Sequence, residues 1–310
     1  MELRQLRYFI GASEAGSLLK ASSRLHVAQP ALGQQIAALE AEVGAQLFTR
    51  SSRGVALTDA GKVFLEHAKV VLSDLERARD AVRGIGSAPR GEVALGLPTT
   101  VGLTATVAIL KACRTHLPDV RLKVVEAYSG FLREWLLSGR LDLAVLFGDN
   151  TEPGLTKQPL LDERLVFVAS PSGPRLPKTM PLKSLARWPM ILPGKEHGLR
   201  KIIDDACAPD AVELNVVAEV EALRSVKLAA QAGIGATILP MGSVAEEVAS
   251  GLLQSARLDS PAMARRVVCA TSIARPATQA NAAVNALVCE VVREMVQSKS
   301  WPARWVGNKG

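Results

Sequence analysis

Residues 17–58 read SLLKASSRLHVAQPALGQQIAALEAEVGAQLFTRSSRGVALT, and the order of signals in that run decides the N-terminal fold. Ser17 is a helix cap, and the segment behind it turns Leu18, Ala21 and Leu25 inward while Lys20, Ser22, Ser23 and Arg24 lie elsewhere, ending near His26. A further helix starts almost at once. Pro30 occupies its first turn, where a missing N–H costs nothing. Leu32, Ile36, Leu39 and Val43 recur at helical spacing as a buried stripe, and Gly44 supplies the stop. Residues 46–50, 51–54 and 55–58 then read as strand, turn and strand. Upstream, Leu3, Leu6, Phe9, Ile10 and Ala12 make one face of an opening helix that ends at Gly16. Two helices joined by a tight turn and followed by a hairpin form a winged helix-turn-helix over residues 1–58.

The face of the third helix opposite its apolar stripe is bare of bulk. Ala31, Gln34, Ala37 and Ala38 lie there with Gln29 and Pro30 at its start and Gln35 on its margin. A glutamine side chain carries both a donor and an acceptor, the pair that bidentate readout of adenine in a major groove requires. Taken alone, such a face is equally a solvated Ala/Gln surface; the hairpin behind it favours contact with DNA. Arg50 and Arg53 flank the Ser/Gly turn of that hairpin, where a guanidinium reaches phosphates or a minor groove. Ser17 and Lys20 complete the candidate DNA-binding set.

Charge does not locate this site. The chain's 310 residues carry a net charge of +7, yet residues 1–86 hold 11 Lys+Arg against 9 Asp+Glu. Basic balance bears on association with anions and leaves specificity to local pattern. The length calls for more than one domain, and 48% hydrophobic with 22% charged residues describes a folded globular chain. Neither a leader's apolar region nor a run long enough to span a membrane is present, so the expected location is cytoplasmic, with no membrane partner.

From Thr58, a cap with Asp59 favourable in the first turn, helical pattern continues to about residue 84. Phe64, Ala68, Val71, Leu75, Ala78, Val82 and Ile85 recur at the 3.5-residue period of a coiled-coil seam, while Lys62, Lys69, Asp74, Glu76 and Arg77 charge its flanks. Residues 59–86 thus read as a dimerisation helix, and a dimer suits a pseudo-palindromic site in double-stranded DNA. The Gly- and Pro-rich stretch 84–91 contains a hinge, at 87–91.

Beyond it, short apolar strands alternate with helices. Strands at 93–97, 122–125 and 141–147 with helices at 101–115 and 130–138 predict a βαβαβ parallel sheet. A second block places strands near 164–169, 189–192, 215–220 and 235–239 between helices near 199–208, 222–232 and 241–249. A returning strand at 265–272 and a long helix at 276–297 close the chain back onto the first block. Residues 92–300 therefore read as two Rossmann-like α/β lobes, one from 92–161 with 267–300 and the other from 162–266, and 301–310 as a loosely ordered tail. Ligands bind at the strand ends of such sheets. Thr99 and Thr100, opening a helix, are either simple caps or part of an anion site. Ser129, Phe147, Leu192 and Pro193 occupy similar strand ends.

Leu3 to Phe9, Gly16-Ser17, Leu25-His26, Ala28 to Leu32, Leu39-Glu40, Leu47-Phe48, Arg53-Gly54, Leu57-Thr58 and Ala60-Gly61 together resemble the N-terminal region of LysR-type transcriptional regulators. The downstream half is similar to that family's effector-binding domain, with the architecture of periplasmic binding proteins. Arg90 to Val93, Leu97 to Thr100 and Ala274 to Ala277 look most like the nitrogen assimilation control (Nac) branch. The resemblance implies a sequence-specific regulator, activator or repressor. Its Gln29, Pro30, Ala31, Gln34 and Gln35 would face the major groove, and its Arg53 would lie in the wing. It also implies a homodimer that pairs into a homotetramer, a small effector bearing a carboxylate between the lobes, and RNA polymerase as a candidate contact. Where the family commonly has Ser, this chain has Ala28 and Gly33, which removes a capping hydroxyl and a phosphate contact.

No cofactor or metal is expected. Cys113, Cys207, Cys269 and Cys289 lack ligand spacing, and the histidines His26, His67, His116 and His197 are scattered. Gly233-Ile-Gly235 lacks the strand-to-helix context of a dinucleotide loop. A solute-transport protein would need an export signal in place of the helix-turn-helix, and an enzyme would need a convergent acid, base or nucleophile; neither is found.

Overall fold

The computed structural model describes residues 1–51, 54–83 and 88–307. It divides into two compact units, Met1–Ser87 and Ala88–Gly310. In the first, α1 (Leu3–Ala15), α2 (Leu18–Leu25) and α3 (Gln29–Val43) precede a hairpin of β1 (Phe48–Ser51) and β2 (Gly54–Leu57), and α4 (Asp59–Arg83) follows. The apolar stripes converge on Phe9, whose ring centroid lies 5.1 Å from Phe48 and 5.2 Å from Phe64. Around it Leu6, Ala12, Leu32, Ile36, Leu39 and Leu47 are buried. Gly54 joins wing to core: Val55 N–H donates to the Gly16 carbonyl at 3.0 Å, and a Cβ on Gly54 would lie 2.3 Å from that oxygen. Its φ of 131° is also one that side chains disfavour.

Helix α4 divides the expected seam. Ala68 is buried and Phe64 packs on Phe9, so these two belong to the unit's own core and are not presented to a partner. The reason is periodic: a helix folded onto a globular body needs its first turns for that body. Further along, Val71 and Val82 are 45% and 72% exposed, Ala78 is exposed and Leu75 half-buried. Ile85, Arg53 and the first residue of the hinge at 87–91 lie outside the described residues.

The second unit begins with β3 (Gly91–Pro98), α5 (Thr99–His116), β4 (Val120–Ala127), α6 (Ser129–Ser138) and β5 (Leu143–Phe147), and β3 pairs in parallel with both β4 and β5. The chain then enters β6 (Leu155–Ala169), which belongs to both lobes. In lobe 2 come β7 (Thr179–Met180), β8 (Pro189–Leu192), α7 (Gly198–Cys207), β9 (Asn215–Glu219), α8 (Leu223–Gln231), β10 (Thr237–Pro240), α9 (Ala245–Ala249) and β11 (Gln254–Leu258). The return runs through β12 (Ala264–Ser272) and α10 (Gln279–Gln297) to β13 (Ala303–Trp305). Lobe 1 has the order β4-β3-β5-β12-β6, with β12 antiparallel to β5 and β6. In lobe 2, β10 and β11 pair antiparallel with the far half of β6, and β8 runs parallel to β9.

Three sequence expectations change. The strand expected at 164–169 starts at Leu155, because its first half alternates polar and apolar beside β12 and lacks a continuous apolar run. The helix expected at 241–249 is a 3-10 turn, Met241–Ser243, followed by the short α9. The tail is not loose surface: β13 pairs with β6, and Trp301 is 1% exposed. Burial of so large a side chain ties the segment down.

Candidate functional site

On the first unit, α3 leaves Gln29, Pro30, Ala31 and Gln34 exposed and Gln35 half-buried, with Ala37 and Ala38 also exposed. Ala28, its N-cap, offers no side-chain acceptor, so first-turn N–H groups have no side-chain cap there and stay available to a phosphate. Ser17 is committed locally, its Oγ accepting from Lys20 N–H at 3.5 Å, while Lys20 itself is exposed. Arg50, half-exposed in the hairpin, approaches Glu40 Oε2 at 3.7 Å. The other oxygen of Glu40 accepts from the amides of Leu47 and Phe48 at 2.8 and 3.0 Å. Glu40 therefore ties the hairpin to α3. Sequence reasoning missed that role, although a carboxylate beside buried Leu39 and seven residues before Leu47 is the available signal.

The second candidate site lies between the lobes, where β6 and β12 cross. Arg265 and Glu163 are register partners on those strands, and both side chains are nearly inaccessible, at 3% and 4%. Arg265 Nε donates to Glu163 Oε1 at 2.6 Å, and Nη2 donates to Thr100 Oγ1 at 2.8 Å. Its guanidinium carbon lies 3.6 Å from the Phe147 ring centroid, a cation–π contact made strong by desolvation. Trp301 Nε1 donates to Glu163 Oε2 at 3.2 Å.

Thr100 and Phe147 thus meet at one place, and Thr99 is exposed beside them. Thr100 does not cap α5: the cap position is Pro98. Ser129 opens α6 with a buried Oγ that has no hydrogen-bond partner among the described residues. Leu192 departs from expectation. It is fully buried in the lobe-2 core, because its strand position turns it away from the strand end. Pro193 is buried too, its carbonyl accepting from Arg200 Nη1 at 3.2 Å.

Across the lobes, the rings of Tyr128 and His197 meet edge to face at 5.4 Å. His197 caps α7, its Nδ1 accepting from Leu199 N–H at 3.1 Å. Burial holds the His197 pKa below its usual value; Glu221 pulls it up and Arg265 pushes it further down. Glu221 Oε1 accepts from Gly194 N–H at 2.8 Å, and burial with that carboxylate raises the Tyr128 pKa. Arg265, Glu163, Trp301, Tyr128, His197 and Glu221 escaped the sequence reading. Glu163 and Arg265 stand beside other charges, Asp162, Arg164 and Arg266, so no local pattern singles them out.

Among the described residues no group of three or more His, Cys, Asp or Glu could hold a metal ion. Cys113, Cys207 and Cys269 are buried, and desolvation raises the pKa of each.

Comparison with known proteins agrees with this arrangement. Residues 3–62 match the family described as bacterial regulatory helix-turn-helix protein, lysR family, and residues 86–295 match the LysR substrate binding domain. The nitrogen assimilation regulatory protein nac of Klebsiella aerogenes is 35% identical over 264 residues, 85% of this chain and 86% of that one. The regulator BbuR of Bordetella bronchiseptica is 30% identical over 298 residues, 96% and 92% of the respective chains. Full-length CbnR in complex with its target DNA is 26% identical, with a TM-score of 0.71 over 95% of this chain and 99% of that one.

Proposed function

The chain belongs to the LysR family of bacterial transcriptional regulators, and from that premise we propose which of its residues read DNA and which receive the effector. Gln29, Pro30, Ala31, Gln34 and Gln35 of α3 enter the major groove, Ser17 and Lys20 contact the backbone, and Arg50 and Arg53 reach from the wing. The observation that carries this assignment is the bulk-free exposed face of α3 beside a hairpin tied to it through Glu40. Val71, Leu75, Ala78 and Val82 supply the dimer seam, which places two α3 helices on a pseudo-palindromic site. CbnR was solved bound to its target DNA, and similarity over almost the whole of both chains supports the same mode here. A regulator of this kind works in the cytoplasm, and no described helix is long and apolar enough to cross a membrane. No catalytic role is assigned to any residue.

In the second unit, Thr99, Thr100, Ser129 and Phe147 face a small carboxylate-bearing effector between the lobes. First-turn amides of α5 with the Thr100 hydroxyl suit an anion. Closure of the lobes on that ligand favours one of two regulatory states, and the DNA complex responds to the difference in their affinities.

A mobility-shift titration of the full chain on random-sequence duplexes tests the DNA assignment. Affinity falls steeply with salt as phosphate contacts are screened, and Lys20→Ala with Arg50→Ala lowers that slope by about one for each phosphate no longer neutralised. No shift at low salt would sink the assignment.

A further inference from the structure

Of the contacts that join the two lobes, two differ sharply in chemistry. At one, Gly242 of lobe 2 lies against Thr104 and Trp301 of lobe 1, and a Cβ there would stand 3.3 Å from either. Trp301 is 1% exposed and none of the three residues titrates, so acid leaves this contact in place. At the other, Tyr128 ahead of α6 and His197 ahead of α7 meet edge to face, their ring centroids 5.4 Å apart.

The backbone around His197 is pinned on both sides. Pro193 carbonyl accepts from Arg200 Nη1 at 3.2 Å, and Gly194 N–H donates to Glu221 Oε1 at 2.8 Å. His197 N–H donates to the Gly194 carbonyl at 3.0 Å, and its own carbonyl accepts from Lys201 N–H at 3.1 Å. A response to a proton therefore falls on the ring. That ring is bonded as its neutral form, with Nδ1 accepting from Leu199 N–H at 3.1 Å to cap α7. A proton taken from water fills the same lone pair, so Nδ1–H then faces Leu199 N–H and the cap is lost. Two further charges oppose the cation. The N-terminus of α7 is the positive end of its dipole. Arg265, held by Glu163, Thr100 and Phe147, is fixed in place. The exposed Glu221 acts the other way and draws the cation, while Glu219 is engaged by Arg200 and both Lys195 and Glu196 are exposed. A protonated ring is thus pushed off α7 toward Glu221 and out of its pose on Tyr128.

We propose that His197 and Tyr128 form a proton-sensitive latch between the lobes: the neutral imidazole holds them together, and protonation releases the Tyr128 contact while the Gly242 contact remains as the pivot. The latch goes beyond the effector reading and needs no ligand in the cleft. It makes mild acid itself a signal that favours the open arrangement.

The test uses the full chain between about pH 5 and pH 8, with ring-labelled histidine and tyrosine followed by nuclear magnetic resonance. The chain has only two tyrosines, so the Tyr128 signal is assigned by its loss in Tyr128→Leu, and that of His197 by its loss in His197→Asn. In the wild type, His197 is expected to titrate below 6.5 and the Tyr128 signal to move with the same midpoint. Protection of the Leu199 amide, corrected for intrinsic exchange, falls about 2- to 30-fold over that range, the equivalent of one lost cap. The radius of gyration of the wild type, measured by X-ray scattering behind a sizing column, rises over the same range. His197→Asn keeps a capping oxygen that does not titrate, so its Leu199 protection holds at low pH and its Tyr128 signal stays in place. Tyr128→Leu is already expanded at the upper end of the range. A Tyr128 signal or a radius that ignores the titration of His197 overturns the latch, as does equal loss of Leu199 protection in His197→Asn. A His197 that stays neutral throughout, or loss of the native helix signal before it titrates, overturns it as well.

Discussion

Glu40→Ala removes one carboxylate that serves three groups, and its cost can be worked from the geometry. The Leu47 and Phe48 amides lose their acceptor at 2.8 and 3.0 Å, and Glu40 itself is only 13% exposed. Hydrogen bonds to a charged group contribute about 1.5–3 kcal/mol each, and sharing one oxygen trims the sum, so the pair loses about 2–4 kcal/mol. The Arg50 contact adds little, because that side chain is half exposed and its pairing is screened. For a unit of this size the melting temperature falls by roughly 10–25 °C. Glu40→Gln keeps a carbonyl acceptor and loses about 1 kcal/mol. The assay exploits tryptophan placement: Trp135, Trp188, Trp301 and Trp305 all lie in the second unit. Circular dichroism at the helix band then reports both units, and tryptophan fluorescence reports the second alone. The expected result is an early loss of helix signal in Glu40→Ala with an unchanged fluorescence transition. A helix transition within about 0.5 kcal/mol of wild type, the range of ordinary surface substitutions, would refute the tie between hairpin and helix.

Glu163→Ala strands Arg265 in a buried site and lowers stability of the second unit by about 3–5 kcal/mol, whereas Trp301→Phe costs about 1–3; equal, small losses in chemical denaturation would contradict the pairing. His197 has a folded pKa depressed below 6.5 by burial, so it contributes stability above its unfolded pKa that is lost as pH falls through the folded value. The wild type is expected to lose stability below about pH 6.5 more steeply than His197→Asn, and parallel pH profiles would exclude His197 as the cause. Val71→Glu with Val82→Glu weakens self-association in sedimentation without moving the helix melt, while Ala68→Glu, placed in the core, unfolds the first unit; the reverse pattern would reassign the seam. The thiols of Cys113, Cys207 and Cys269 are buried, and burial raises the Cys289 pKa to about 11, so an aromatic disulfide reagent at neutral pH reacts slowly until the chain unfolds. Rapid reaction of all of them in the native chain would show that burial fails to protect them.

The helix-turn-helix was legible because its signals are local: a cap at Ser17, Pro30 in a first turn, a stripe from Leu32 to Leu39 and glycine stops at Gly16 and Gly44; Val43, expected to end that stripe, is 39% exposed in the last turn of α3. Heptad spacing along α4 was equally legible but could not say which turns a helix devotes to its own body, so Phe64 and Ala68 were read as partner-facing. In the second unit, alternation located the sheet, and strand ends located Thr100 and Phe147. The residues that hold the cleft together were not legible. Glu163, Arg265 and Trp301 are brought side by side by the register of β6, β12 and β13, across separations that no local pattern encodes. Leu192 fails for a related reason: a strand end fixes which loop a residue enters, and the strand's face decides where its side chain goes.

The central claim, that α3 reads base sequence, is tested most directly by selecting bound duplexes from a random pool with the wild-type chain and with Gln34→Ala. The wild type is expected to return one pseudo-palindromic motif, and the variant a motif relaxed at symmetric positions in each half-site, with about 1–3 kcal/mol of discrimination lost there. An unchanged motif of unchanged stringency from Gln34→Ala, or no motif at all from the wild type, would contradict it.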